Sequence, residues 1–406
     1  MKQTKNQLIE LDLLGQFFAS IVDDKQPGGF SITAHLKEPV QPEVLQQAVN
    51  DLMRRLPFLC GRLRRGFFWF YHEVLAESPQ IIPISGSPVF SDYYNRGNGH
   101  VLRVLYGEKY FKVETLHSIC DGGGLIKIIS ALLLRYFELL GIKADKTEIV
   151  DCAGAFQQEE IEDAYKRFAD FKLKTFGVNA PKAKAFHPDS PRAPAQRVIT
   201  QKFDADKIIV MAKEHNTTIT EYILAHIFMA IAKERAALHS KKPIIMMVPI
   251  NCRSFFPTKT FRNFLCGATI IMPETEDFSE MLQQIHQQFA CIDKDLVQRK
   301  ITGLQKLYKF ARFSPIIIKG WIMKIIQRSQ AGGLTSGFSN TGLIKLPKEI
   351  ESRIDMLEFI LGLEHDMPYF FSCITIGNTL ALTTTIATEN IDIAEKVKNR
   401  ITSCCA

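Results

Sequence analysis

The sequence predicts a mixed α/β (α+β) protein of two lobes, each a sheet flanked by helices. Three observations carry this expectation. The 406 residues are enough for two cores of ordinary domain size. Strand-like and helix-like periodicities alternate in both halves. A segment with prolines at 181, 188, 191 and 194 separates the halves at 176–196, so that 1–175 and 197–406 read as the lobes and 176–196 as a linker.

In the first half, Phe30 to Leu36 and Phe67 to Val74 are rich in β-branched and aromatic residues and read as strands. Between them Pro42 suits a first helical position, and Leu45, Ala48, Leu52 and Leu56 recur at helical spacing. Val101 to Tyr106 and Tyr110 to Leu116 form a hairpin candidate across Gly107-Glu108. Leu125 to Leu140 is an apolar helix ended by Gly141, and Gln157 to Lys174 reads as an exposed amphipathic helix.

The second half repeats the alternation. Strands are expected at Arg197 to Phe203, Ile244 to Ile250, Ala268 to Met272, Asp355 to Leu361, Tyr369 to Ile376 and Leu380 to Ile386. Gly377-Asn378 joins the last two as a hairpin. Helices are expected at Ala205 to His215, Thr220 to Arg235 (capped by Thr218 or Thr220), Phe278 to Val297, 304–328 and Ile391 to Ile401.

Composition narrows the function classes. Hydrophobic residues at 46% and charged residues at 23% exclude global disorder. The net charge of +7 comes from scattered lysines and arginines; the densest cluster, Arg62, Arg64 and Arg65, reads as a solvated face, so no nucleic-acid partner is expected. Nine cysteines with no C-x-x-C spacing fit free thiols in a reducing cytoplasm, and no metal site is expected. The polar N-terminus is no signal peptide, and no apolar run reaches bilayer length. A cytoplasmic protein is the expectation. The stretch Phe310 to Arg328 mixes isoleucines and a tryptophan with cations; a core helix with snorkelling lysines is preferred over a surface that touches lipid or a long acyl chain.

The segment Leu116-His117-Ser118-Ile119-Cys120-Asp121-Gly122-Gly123-Gly124 follows a strand and opens a helix. An imidazole there can take a proton near neutral pH. Asp121 can cap the helix or pair with an arginine, and glycines permit close approach. By themselves these residues also fit a satisfied strand-end histidine and a structural cap. The other histidines assemble into nothing: His215 reads as a helix end, His226 as core, and His365 as part of a turn.

The pattern H-x-x-x-D-G near position 120 of a chain of this length resembles the CoA-dependent acyltransferase superfamily, which includes chloramphenicol acetyltransferase and the condensation domains of peptide synthetases. Further segments extend the resemblance in order. Pro42 to Arg65 is similar to its early helix and following turn, Val248 to Arg253 to a strand ending in P-x-x-x-R, and Arg262 to Gly267 to the approach to the next long strand. Phe338 to Gly342 resembles the SN-x-G strand of the alcohol acetyltransferase branch. Two departures stand out: Leu116 replaces the first histidine of the common pair, and the D-F-G-W-G motif of the plant branch is missing.

The resemblance implies two chloramphenicol acetyltransferase-like lobes with an active-site tunnel between them. It implies acyl transfer from acyl-CoA, acetyl-CoA foremost, to a small-molecule alcohol or amine in a ternary complex, with CoA as cosubstrate and no bound cofactor. His117 is then the general base, and Asp121 forms a bidentate pair with Arg253. Gly122 stays small for access, while Gly123 and Gly124 lend flexibility at the helix start. Ser339, Asn340, Thr335 and Ser336 are candidates for oxyanion or substrate binding, though each taken singly reads first as part of a polar strand edge or turn. Two alternatives stay open: a condensation-like enzyme drawing on carrier-protein thioesters, and a non-catalytic member that binds a ligand or partner.

Overall fold

The computed structural model describes residues 7–21, 28–84, 99–146, 149–175, 184–275, 277–362 and 367–405. The first half runs β1 (Leu8–Glu10), α1 (Leu13–Ile21), β2 (Gly29–Leu36), α2 (Pro42–Arg55), β3 (Gly61–Arg65), β4 (Phe70–Val74), β5 (Ile82–Pro83), β6 (Leu102–Tyr106), β7 (Tyr110–Leu116) and α3 (Gly122–Leu139), followed by the short α4 (Ala164–Phe168). The second half runs β8 (Arg192–Asp204), α5 (Ala205–Glu214), α6 (Ile219–Ala237), β9 (Ile245–Asn251), β10 (Leu265–Ile271), α7 (Phe278–Ala290), α8 (Lys294–Phe310) and α9 (Ile316–Ala331). It closes with β11 (Ser336–Ile344), α10 (Lys348–Glu351), β12 (Ile354–Leu361), β13 (Tyr369–Ile376), β14 (Thr379–Thr388) and α11 (Asp392–Cys405).

Two large mixed sheets organise these elements, as expected. One has the order β12-β2-β7-β6-β5, the other β10-β9-β11-β13-β14-β8, and a small third sheet joins β1, β4 and β3. In the first, alternate residues Phe30, Ile32 and Ala34 of β2 turn to a core built with α2 and α3. In the second, Phe338, Phe371 and Leu382 turn to a core with Ile223 and Ile227 of α6 and Val397 of α11. β12 comes from the second half of the chain yet pairs antiparallel with β2, Phe359 opposite Ile32. The lobes also touch through polar groups, where Thr200 of β8 donates to Glu358 of β12 and faces Thr383 at 3.0 Å.

Several expected elements change at identifiable residues. The helix read over Gln157 to Lys174 is a single turn at Gln158–Ile161 followed by α4. The break follows from Glu160, whose carboxylate is drawn into a buried two-point pair with Arg55 (2.6 and 2.7 Å), and from Asp163, which caps a new helix. The helix read over Phe278 to Val297 breaks at Asp293, which accepts from Leu296 N and starts α8. Pro315 divides 304–328 into α8 and α9. The strand read from Phe67 begins at Phe70, because Gly66 to Trp69 is the turn joining β3 to β4. β8 begins at Arg192, inside the segment read as linker, whose residues 176–183 lie outside the described ones, as do His365 and Asp366. Thr218, of the two suggested caps, caps α6.

The core-helix reading of Phe310 to Arg328 is overturned. Lys319 turns inward, but Ile317, Ile318, Trp321, Ile322 and Ile325 face outward. Among the described residues no helix is long and apolar enough to cross a membrane, and no cluster of His, Cys, Asp and Glu could hold a metal ion.

Candidate active site

β7 delivers His117 as its pairing with β2 runs out, and the turn 117–121 leads into α3. The ring is partly exposed, stacks on Phe18 of α1 (centroids 4.1 Å apart) and lies 4.5 Å from Phe30 of β2. These apolar neighbours withdraw it from water, and burial holds its pKa below the ordinary histidine value despite the nearby Asn263 and Asp121.

One bond settles which ring nitrogen carries the proton. His117 Nδ1 lies 3.1 Å from Oδ1 of Asn263. The amide nitrogen of Asn263 points the other way, donating to both carboxylate oxygens of Asp12 (3.1 and 3.2 Å) and to the His117 carbonyl (3.0 Å). All three are acceptors, so the amide has one sensible orientation and Oδ1 faces the ring. An acceptor there requires a proton on Nδ1, which leaves the lone pair on Nε2. Asp12 is itself held by Gly15 N at 2.7 Å and by Arg262 at 3.4 Å. Burial raises its pKa to about 6, against the pull of Arg262.

Asp121 caps α3, accepting from Gly124 N at 2.9 Å, and also accepts from Phe264 N at 2.7 Å and Arg253 at 2.8 Å. Burial opposes its ionisation, but the Arg253 guanidinium and the two backbone donors outweigh it and hold the carboxyl below the usual range. The pair with Arg253 links the lobes as expected, but through one nitrogen. The other guanidinium nitrogens donate to the carbonyls of Thr260 and Arg262, so the expected bidentate geometry is replaced by a brace across the 253–262 loop.

The glycines sort differently from expectation. A Cβ on Gly122 would meet Phe359 at 3.4 Å and Thr341 at 3.9 Å, which is ordinary contact. A Cβ on Gly124 would fall 2.0 Å from the Phe261 carbonyl, so the strict demand for smallness sits at Gly124.

Of the four candidates before and on β11, three are engaged locally. Thr335 Oγ1 accepts from Ile245 N, Ser336 Oγ donates to the Tyr369 carbonyl, and Asn340 donates to Thr220 and accepts from Gly342 N. Ser339 is half-buried on β11 opposite Ser372 of β13, just before the register shift that follows Asn340, and no described contact occupies its hydroxyl. Asn251 accepts from Arg253 N at 3.1 Å and caps the turn after β9. His72 and His226 are buried and held neutral, each with a pKa near 3 from desolvation.

Two cavities lie where the halves meet. An apolar one of about 250 Å³ is lined by Leu14 and Phe17 of α1, Trp69, Leu265 of β10, Leu304 of α8 and Met323 of α9. The other, about 790 Å³, is lined by Lys127 of α3, Gln157, Lys259, Thr341 and Lys345. Phe17 adjoins Phe18, which stacks on His117, and Thr341 lies 3.9 Å from a Cβ built on Gly122, whereas His117 itself lines neither cavity.

Solved structures of known proteins share this arrangement at low identity. F. graminearum TRI101, complexed with coenzyme A and deoxynivalenol, superposes with a TM-score of 0.66 at 10% identity, covering 98% of this chain and 97% of its own. Polyketide synthase associated protein 5 from Mycobacterium tuberculosis gives 0.64 at 14% identity and 98% coverage of both chains. The chain has the chloramphenicol acetyltransferase-like fold. The epimerization domain from the third module of tyrocidine synthetase B shares it as well, at 0.61 and 10% identity, over 100% of this chain and 96% of that one. No protein-family model matches the sequence. No curated protein matches it.

The fold sharpens what the sequence missed. Asn263 falls inside a segment singled out for its resemblance, but its tautomer-setting contact needs β10 to be placed beside the β7 turn. Asp12 and Phe18 carried no local signal, since an aspartate before an apolar helix reads only as a cap.

Proposed function

We propose that the protein is an acyltransferase that moves an acyl group from an acyl-CoA thioester to a hydroxyl or amine acceptor, with His117 as general base. The observation that carries this reading is the Asp12–Asn263–His117 chain of hydrogen bonds, which leaves Nε2 as the proton acceptor. Nε2 takes the acceptor's proton as its oxygen or nitrogen attacks the thioester carbonyl. The tetrahedral oxyanion then collapses, breaking the C–S bond, and Nε2–H returns the proton to the leaving thiolate. No covalent acyl-enzyme is needed, since a thioester is already activated. A lowered histidine pKa supports the role, keeping the ring neutral at pH 7. Ser339 is the residue we assign to the oxyanion.

Two features support the substrate classes. The larger cavity carries Arg55, Lys127, Lys259 and Lys345 against Asp151 and Glu160, an excess of positive charge that suits the phosphates of CoA. The smaller, apolar cavity suits a hydrocarbon part of acyl group or acceptor. The likeness to an epimerization domain of a peptide synthetase keeps a carrier-protein thioester as the second donor reading.

The test is thiol release from acetyl-CoA with a panel of alcohols, amines and sugars, for wild type and His117→Ala. Acceptor-dependent release that His117→Ala abolishes supports the proposal. Release only from an acylated carrier protein supports the second donor, and no release from any donor leaves a binding protein of the same fold.

A further inference from the structure

Helix α9 is built inside out. Its Lys319 is 5% exposed, donates to the Phe68 carbonyl at 2.9 Å and stands 3.2 Å from the centroid of the Trp69 ring. Burial there pushes its pKa down to about 8. Ile317 is 71% and Trp321 69% exposed, and Ile318, Ile322 and Ile325 are exposed with them. Positions 317, 318, 321, 322 and 325 share one helical face. The turn between β3 and β4 enlarges it: Phe67 is 71% exposed, and its carbonyl accepts from Ile316 N at 3.0 Å, which ties the turn to the start of α9. Phe310 and Phe313, both about four-fifths exposed, flank the entry to the helix. Scattered apolar side chains on a surface need no explanation, but a contiguous set from two elements does.

Charge indicates what covers it. No acidic residue occurs between Asp295 and Glu349, and α9 itself carries Lys324 and Arg328 besides the inward Lys319, with no carboxylate on the helix. α1, on which α9 packs, carries no charge, and Arg65 borders the turn. A second copy of the chain seated on this face would set one cationic group against another. A lamellar surface of negative headgroups over hydrocarbon matches both properties at once.

We propose that α9 and the Gly66–Trp69 turn dock the protein on an anionic lipid bilayer, with the helix lying in the interface. The isoleucines, Trp321 and Phe67 enter the headgroup–acyl boundary, and the flanking lysines and arginines meet the lipid phosphates. The apolar cavity is lined by Trp69, Lys319 and Met323 from the inner side of the same turn and helix, so docking brings lipid to the outer side of that cavity's wall. Docking requires no substrate, and it stands or falls apart from the acyl-transfer reading.

Flotation of the full chain with vesicles of phosphatidylcholine, with and without phosphatidylserine, tests it. The protein is expected to float with phosphatidylserine vesicles and to be released by high salt. Ile317→Glu with Trp321→Glu should reduce the bound fraction at least ~10-fold, since two anions replace two anchors. Far-UV circular dichroism should not change. Lys324→Gln with Arg328→Gln keeps the apolar face and should weaken binding roughly five-fold per charge, which separates lost docking from a folding failure. Absence of flotation with phosphatidylserine, equal flotation with phosphatidylcholine alone, or undiminished binding by both variants overturns the proposal. So does a concentration-dependent dimer that the Glu variants dissolve while wild type ignores vesicles.

Discussion

Asn263 presents its Oδ1 to His117 Nδ1 at 3.1 Å while its amide nitrogen reaches back to the His117 carbonyl at 3.0 Å, so one side chain grips both ends of the histidine. The ring cannot turn over without losing that partner. In a Ser-His-Asp triad an aspartate does this work; here a neutral amide does it, steering the tautomer without stabilising an imidazolium as strongly. The arrangement suits a base that starts neutral and gives its proton back within one turnover.

Replacing Asn263 with alanine should therefore lower kcat far more than it raises KM. Loss of the tautomer costs up to about 10⁴-fold by analogy with triads. Steady-state thiol release measures it, and an unchanged kcat in a folded Asn263→Ala protein would remove Asn263 from the mechanism.

The acid limb of kcat/KM should lie below the ordinary histidine midpoint of about 6.5. Burial depresses the folded pKa of His117, so the ring remains a free base at pH values where an exposed histidine is protonated. A pH–rate profile with its acid midpoint above that value would contradict the burial seen here.

Stability should fall on acidification, with His72 and His226 contributing. Both are held neutral when folded, near pKa 3, and take up protons on unfolding. Their stabilising contribution is complete above the unfolded pKa and declines as pH drops toward the folded value, by up to about 1.4 kcal/mol per pH unit for each ring. Asp12, raised to about 6, acts with the opposite sign from there down to its ordinary range. Urea midpoints should show a shallower pH slope in His226→Leu than in wild type, and parallel slopes would refute this.

Gly124→Ala and Gly122→Ala should separate cleanly. The first drives a methyl against the Phe261 carbonyl, with a cost of about 3 kcal/mol or more from backbone displacement. The second finds ordinary contact with Phe359 and Thr341 and should leave the melting temperature nearly unchanged. Equal melting temperatures would place the crowding elsewhere.

Asp121→Ala should destabilise the fold by about 3–5 kcal/mol, since it strips a buried guanidinium and two backbone N–H groups of their acceptor. Thermal unfolding reports this independently of any assay.

Much of this site was legible in advance because its parts are local in sequence. The strand–turn–helix around His117, the cap by Asp121 and the hairpin at Gly377-Asn378 depend on neighbours a few residues apart, and periodicity and turn chemistry expose such features. The pairing of Arg253 with Asp121 came through resemblance, and its one-point geometry did not. What sequence concealed involves distance or reversal. Asp12, Phe18 and Asn263 meet only once three elements converge, and the capping role of Asp293 is hidden inside a continuous helical periodicity. The outward face of α9 defeated the reading because a helix rich in isoleucine normally turns its apolar side inward, and here Lys319 takes that side.

The placement of β12 bears on how the polypeptide can be divided. A fragment stopping at residue 175 would leave the margin of β2 without its neighbour, the bare backbone of Ser31 to Leu36 offered to any passing strand. The complementary fragment would carry β12 with nothing to pair against. Splitting the gene at the proline-rich segment should yield two sticky, incomplete products, recoverable only when co-expressed, so each half serves as a folding partner for the other.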